Sequence, residues 1–156
     1  MGTVMFYHLM QSAPADTLAI NAPRALGQGW RVMVRGTDPE SLDRLDQALW
    51  LKGGDDSFLP HGFEGGPHDA DQPVLLGLGS PVNGAKVLAL VDGAQATDAE
   101  ITAMERVWVL FDGNDPDCLQ AARAQWKAMT DRGHPAQYWS EESGRWEKKA
   151  EKLPLA

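Results

Sequence analysis

The sequence contains one cysteine, few cations and no long apolar run, and each shortage excludes a class of protein. Cys118 is the only cysteine among 156 residues, so neither a disulfide framework nor a cysteine-based zinc site can form. No apolar stretch approaches the roughly 20 residues that span a bilayer. The N-terminus also lacks the basic and apolar regions of a secretion signal. We therefore expect a cytoplasmic protein that has no membrane partner.

The shortage of cations argues against direct gripping of nucleic acid. The chain has 14 Lys and Arg against 22 Asp and Glu, which gives a net charge of -8. Proteins that hold phosphate backbones need a basic face. The acidity is uneven, however, because residues 118–156 contain seven Lys and Arg but only five Asp and Glu. That end carries +2, and the preceding 117 residues carry -10.

The sequence also lacks the common catalytic and nucleotide-binding motifs. It has no P-loop, no G-x-S-x-G elbow and no H-E-x-x-H, and no G-x-G-x-x-G follows the first predicted strand. His61 and His68 lie with Asp69 and Asp71 in a loop rich in glycine and proline, which we interpret as a polar surface loop. We predict no catalytic residue, no metal site and no cofactor.

The apolar pattern that is present alternates between strands and helices. Apolar and β-branched runs predict strands at 3–9, 30–35, 73–78, 86–91, 106–111 and 135–139, and helical spacing predicts helices at 12–26, 38–52 and 117–132. A weak helical turn follows Thr97, and 55–73 is predicted as a long irregular connection. This order favours an α/β fold, namely one three-layer Rossmann-like domain over 1–140 with a mostly parallel sheet flanked by helices. Residues 141–156 form a charged C-terminal tail, for which a helix is one interpretation.

The positive end of the chain is also rich in tryptophan. Trp126, Trp139 and Trp146, three of the six tryptophans, fall in this region. Arg123 and Lys127 are i,i+4 neighbours on the predicted 117–132 helix, and Trp126 lies beside them. Two cations next to an aromatic face can receive an acidic peptide that carries an apolar anchor. The alternative is that Trp126 belongs to the core and the cations form a solvated face.

Several segments resemble one known family. They are FYHL at 6–9, LDRLDQALW at 42–50, SFLPHG at 57–62, and the C-terminal WKA, RGH, YW and GRWEKK segments between 126 and 149. The helix that ends in Trp50 and is followed by Ser57 to Gly62 is the most specific of them. In order and length, the chain resembles the chi subunit of bacterial DNA polymerase III over nearly its whole extent.

The resemblance implies a Rossmann-like accessory subunit without catalytic activity, usually tethered to the clamp loader through the psi subunit. Such subunits bind the acidic C-terminal tail of single-stranded DNA-binding protein, and so they meet DNA only indirectly. The family's tail-binding residues map to Arg123, Trp126 and Lys127. The psi contact, or a contact with another partner such as a helicase, maps to Trp50, Phe58 and Pro60.

This sequence departs from the family at the tail site. Trp126 replaces a tyrosine, which keeps the aromatic face but removes the hydroxyl. Residues 119–122 are neutral where some members have a further cation, so Lys148 or Lys149 is an alternative second cation.

Other interpretations stay open from the sequence. One is a small α/β enzyme that uses the 55–73 loop, with His61 as a general base. Another is a protein that stacks single-stranded DNA directly on its tryptophans. Trp50 and Phe58 also fit core positions, since aromatic residues after an amphipathic helix are commonly buried.

Overall fold

The computed structural model describes residues 2–52, 61–66 and 69–152 of the chain. The described strands are β1 (Thr3–Leu9), β2 (Val32–Arg35), β3 (Gly62–Phe63), β4 (Val74–Gly77), β5 (Val87–Leu90), β6 (Arg106–Asp112), β7 (Ala136–Ser140) and β8 (Glu147–Lys152). The described helices are α1 (Pro14–Gly27), α2 (Pro39–Lys52), α3 (Asp98–Ala103) and α4 (Pro116–Asp131), and a 3-10 turn covers Asp69–Asp71.

The strands form one sheet in the order β3-β4-β2-β5-β6-β1-β7-β8. Neighbouring strands are parallel from β3 to β7, and only β8 runs antiparallel to its neighbour. The strands β4 and β5 are buried along their whole length, as expected for parallel strands that are covered on both faces. The predicted α/β class with a mostly parallel sheet is confirmed.

Two separate hydrophobic cores show that helices cover both faces of the sheet. On one face, α1 and α2 contribute Leu18 and Leu42 to a core that includes Trp108 of β6. On the other face, α3 and α4 contribute Ile101 and Met129 to a core built on the opposite side of the same strands. The result is the predicted three-layer arrangement.

The helix boundaries follow from local capping. Asp115 precedes α4 and its carboxylate accepts hydrogen bonds from the N–H groups of Asp117 and Cys118. Thr97 and Glu100 form a capping box at the start of α3. Pro23 lies inside α1, and the helix nevertheless continues to Gly27. No described helix is both long and apolar enough to cross a membrane.

The interpretation of the C-terminal tail as a helix is wrong. Residues Glu147–Lys152 form β8, which pairs with β7 so that Tyr138 lies opposite Ala150. A strand forms here because β7 would otherwise leave a row of backbone N–H and C=O groups unpaired at the edge of the sheet. The predicted division between a domain at 1–140 and a tail at 141–156 stays a prediction, although β8 extends the same sheet.

The long connection between α2 and β4 contains more structure than predicted. Gly62–Phe63 adds the short edge strand β3 beside β4, and the 3-10 turn follows it. Of the residues that the resemblance assigns to psi, Phe58 and Pro60 lie outside the described residues. Trp50 lies near the end of α2, but its side chain is likewise outside the description.

Candidate functional site

The candidate site is built on β1 and β7, which are parallel neighbours in the sheet. Their register pairs Phe6 with Tyr138 and Tyr7 with Trp139. Because side chains alternate between the two faces of a strand, Phe6 and Tyr138 face α4 while Tyr7 and Trp139 face α1. Adjacent residues of these two strands therefore present aromatic rings to opposite sides of the sheet.

Helix α4 packs onto its face of the sheet through Trp126. The Trp126 ring is half-buried, with its centroid 5.4 Å from that of Phe6 and 6.0 Å from that of Tyr138, both in edge-on geometry. Trp126 thus joins the core of this face, as one sequence interpretation held, while part of its ring stays accessible. Its packing fixes how α4 lies beside the aromatic floor.

A groove of about 450 Å³ opens beside Trp126, between α4, the end of β1 and the β7–β8 hairpin. We call it the tail groove and define it by its lining residues: His8, Met10, Gly113, Leu119, Arg123, Tyr138, Ser140, Glu142 and Lys149. It combines apolar and aromatic surface with two cations. The two cations come from segments that are distant in sequence and that the β7–β8 pairing brings together.

The three residues predicted on α4 have different environments. Arg123 is exposed, lines the tail groove, and makes no hydrogen bond or ion pair with any residue that the structure describes. The Lys127 ammonium instead lies 2.8 Å from the Asp131 carboxylate, and this contact raises the pKa of Lys127. Lys127 and Trp126 are therefore neighbours of the groove, whereas Arg123 and Lys149 line it.

The aromatic floor of the groove is fixed by a hydrogen bond between Tyr138 and His8. Burial raises the pKa of Tyr138, so its hydroxyl stays protonated and can donate to His8 Nδ1 at 3.0 Å. The His8 ring is stacked on Phe111 and lies directly against Gly113, where an added Cβ would come within 1.7 Å of the ring. Gly113 is thus required for the close approach of the imidazole.

The rim of the groove is held by Glu141, a buried carboxylate next to the groove residues Ser140 and Glu142. One Glu141 oxygen accepts the backbone N–H groups of Met10, Gln11 and Ser12 at 2.9, 2.8 and 2.6 Å, and the other accepts the Ser12 hydroxyl at 2.9 Å. Burial alone would raise the pKa of Glu141, but these donors lower it overall. The carboxylate fills the position after β1 where nucleotide-binding α/β proteins place a phosphate.

Sequence reasoning missed Tyr138, His8 and Leu119 as residues of the same groove. The alternation within 136–140 shows that Tyr138 faces one side of the sheet, but not which strand lies next to it. The pairing of β7 with β1 supplies that information. The sequence suggests Lys149 only as an alternative cation, and its position here depends on β8, which lies in the segment for which a helix was one interpretation.

Among the other candidate groups from the sequence, His61 and Cys118 are not placed as reactive groups, and His68 lies outside the described residues. The His61 side chain is fully buried, and its Nε2 atom lies 3.1 Å from Asp46 Oδ1, which leaves no accessible ring nitrogen for a general base. Burial and the Asp115 carboxylate raise the pKa of Cys118, so its thiol is not activated. Within 2–52, 61–66 and 69–152, no group of three or more His, Cys, Asp or Glu is placed to hold a metal.

Comparison with known protein families gave a match over most of the chain. The family model for the DNA polymerase III chi subunit, HolC, matches residues 1–137. The chain belongs to this chi subunit family. A comparison with curated proteins gave no match.

Membership makes this chi subunit an accessory protein of a replicative DNA polymerase. The matched residues include the whole of α4, and therefore Arg123, Trp126 and Lys127. The match ends one residue before Tyr138 and does not reach β8. The part of the tail groove formed by Tyr138, Glu142 and Lys149 is thus described by this structure and not by the family match.

Proposed function

We propose that this chi subunit binds the acidic C-terminal tail of single-stranded DNA-binding protein in the tail groove, and so connects that protein to the clamp loader. The observation that carries the proposal is Arg123, an exposed guanidinium without a partner among the described residues, in a mostly polar groove that also contains Leu119 and Tyr138. A tail that ends in an apolar residue and carries carboxylates has the complementary chemistry.

Each part of the groove has a role in this proposal. Arg123 binds carboxylates of the tail by paired hydrogen bonds, and Lys149 attracts them as a point charge. Without the tail, the Lys149 ammonium lies 3.3 Å from the Glu147 carboxylate. Leu119 and Tyr138 receive the apolar side chain. Trp126 supports the floor from the core, and Lys127 adds positive potential beside the groove even while it contacts Asp131.

The Glu142 carboxylate is the one unfavourable element for an acidic ligand. It lines the groove together with Arg123 and Lys149, so an incoming carboxylate competes with it for the same cations. We therefore expect a contact of moderate strength that weakens as the salt concentration rises. Such a reversible contact suits a subunit that follows a coated template strand.

The rest of the role follows the family resemblance. We infer that the subunit has no catalytic activity of its own and works in the cytoplasm. Its proposed second interface contains Trp50, Phe58 and Pro60 and contacts psi or another replication partner such as a helicase. A body with a net charge of -8 repels DNA phosphates, so contact with DNA is left to the partner.

The proposal is tested by calorimetric titration of a synthetic tail peptide into the wild type and into Arg123→Ala. Loss of charge-assisted hydrogen bonds is expected to weaken binding about tenfold or more. Arg44→Ala is the matched control, because Arg44 is an exposed α2 cation outside the groove. Equal affinity of Arg123→Ala and wild type would refute the site, and absence of binding to wild type would refute the function.

A further inference from the structure

A second cleft lies back to back with the tail groove, on the α1 face of the same two strands. It has a volume of about 430 Å³ and lies between α1 and the start of the β7–β8 turn. Its floor is formed by Tyr7 and Trp139, which are the sequence neighbours of His8 and Tyr138 in the tail groove. We call it the α1 cleft.

Helix α1, which borders the α1 cleft, carries a pair of side chains similar to a pair on α4, namely an aliphatic residue and an arginine four positions later. Leu119 and Arg123 of α4 are an aliphatic residue and an arginine four residues apart, and both line the tail groove. Ile20 and Arg24 of α1 have the same spacing and both line the α1 cleft. Residues at this spacing share one helix face, so each cleft has an apolar contact one turn away from a guanidinium.

The α1 cleft is lined by one cation, Arg24, and one acid, Asp16, and the cation is the one of the two that is left available to a ligand. Arg24 is exposed and, within the described part of the chain, has no hydrogen-bond or ion-pair partner. The acidic lining residue Asp16 is already engaged, since its carboxylate accepts the Ala13 N–H at 2.7 Å at the start of α1. Burial raises the pKa of Tyr7 to about 12, so the phenol adds no negative charge at neutral pH.

The apolar walls of this cleft are accessible. Ile20 is 55% exposed and Trp146 is 36% exposed, so the cleft presents two large apolar side chains to the solvent. Trp146 contacts Tyr7 edge-on, with ring centroids 5.5 Å apart. The cleft can therefore receive an apolar side chain against Ile20 and the aromatic surface of Trp146 and Tyr7 while Arg24 binds a nearby carboxylate.

We propose that the α1 cleft is a second receptor for an acidic peptide with an apolar anchor, so that one chi subunit holds two tails at once. The inference rests on the proposed function for the identity of the peptide, but its site is separate. A partner with several tails would then gain affinity by avidity, because the second tail binds from a high local concentration.

The test is the binding stoichiometry of one defined probe, a short aspartate-rich peptide that ends in phenylalanine with a free carboxylate. Calorimetry on the wild type is expected to show two equivalents. Arg24→Ala and Arg123→Ala should each weaken one of them by about tenfold or more and leave the other unchanged. Arg44→Ala should retain both, which controls for the change in net charge.

The outcomes separate the two proposals. One equivalent that only Arg123→Ala weakens would overturn the second receptor and keep the proposed function. One equivalent that only Arg24→Ala weakens would overturn the tail groove as the site and also the binding of two tails at once, and no binding would overturn both proposals.

The place of the second equivalent is checked by NMR in the Arg123→Ala background. There the peptide is expected to shift the indole N–H resonances of Trp139 and Trp146, which line the α1 cleft. The resonance of Trp126, on the opposite face, should stay in place. A shift of Trp126 without Trp139 and Trp146 would contradict the proposed site.

Discussion

At the scale of single residues, Glu141 shows how one buried carboxylate joins two distant segments of the chain. Its carboxylate accepts hydrogen bonds from three backbone N–H groups after β1, which would otherwise be available to bind an anion. The loop after β1 thus provides N–H donors like those of a phosphate site, and a side chain of the same chain accepts their hydrogen bonds. The same contact joins Met10 to the end of β7, so one side chain holds two segments of the tail groove.

Replacing Glu141 with alanine is expected to destabilise the protein by about 2–3 kcal/mol, since it leaves buried N–H donors without an acceptor. Chemical denaturation at neutral pH measures this loss. Glu142→Ala is the control, because Glu142 is exposed and accepts none of these hydrogen bonds. Similar stabilities of the two variants would show that the Glu141 contacts contribute nothing.

Glu142→Ala itself should strengthen binding of the tail peptide. Its carboxylate lines the groove beside Arg123 and competes with an acidic ligand. Because the side chain is exposed, the gain is expected to be modest, about two- to fivefold at low salt. Calorimetry at two salt concentrations checks it, and weaker binding by this variant would count against the groove as the site.

Glu100 makes the stability depend on pH. The hydrogen bond from Arg35, at 2.9 Å, is the main cause that lowers the pKa of Glu100 from its usual 4.5 to about 2. Its contribution is therefore fully present above pH 4.5 and is lost as the pH falls towards 2. Glu100→Gln should cost about 1–2 kcal/mol at pH 7.

The pH profile is the decisive part of that measurement. The difference in unfolding free energy between wild type and Glu100→Gln should shrink as acid protonates the wild-type carboxylate. A difference that is constant from neutral pH down to the acid limit would mean that the Arg35 contact does not depend on charge. Thr97→Ala would report separately on the cap of α3.

At the scale of elements, sequence patterns predicted the buried strands and amphipathic helices but not the last strand. Runs such as RVWVLF at 106–111 allow few alternatives, and β6 forms there. The charged sequence of β8 shows no alternation of apolar and polar residues. This agrees with its position, since every described residue after Glu147 in this strand is exposed. Its structure is dictated by the free edge of β7, which a local pattern cannot reveal.

The candidate site shows the same limit. Arg123, Trp126 and Lys127 share one helix, so their proximity followed from helical spacing alone. That Arg123 lines a groove depends on neighbours that only the assembled sheet supplies. The contact between Lys127 and Asp131 is instead an i,i+4 pair within α4, which helical spacing alone allows. The position of Arg123 at the groove was therefore beyond sequence reasoning.

Truncation after Glu142 tests the role of β8. The shortened chain keeps the Glu141 contacts and is expected to fold, but it loses Lys149 from the groove and Trp146 from the α1 cleft. Tail-peptide affinity should fall about tenfold through loss of the second cation and of the strand that holds β7. Circular dichroism confirms folding, and unchanged affinity would show that β8 has no part in the site.

At the scale of the whole molecule, the uneven charge along the sequence corresponds to separate regions of the fold. The +2 end of the chain contains α4, the end of the sheet and the hairpin that borders both clefts, while the remaining -10 lies elsewhere. Arg24 belongs to the acidic part of the sequence, but α1 places it beside the same end of the sheet. In our proposal, a protein arranged in this way repels nucleic acid and presents separate cations to acidic peptides.

The most direct test of this account uses the intact partner in place of a peptide. Full-length single-stranded DNA-binding protein, bound to single-stranded DNA, is titrated with this chi subunit, and the titration is repeated with a form that lacks the acidic C-terminal tail. The account predicts salt-sensitive binding to the full-length protein and loss of that binding when the tail is absent. Equal binding to both forms would contradict it.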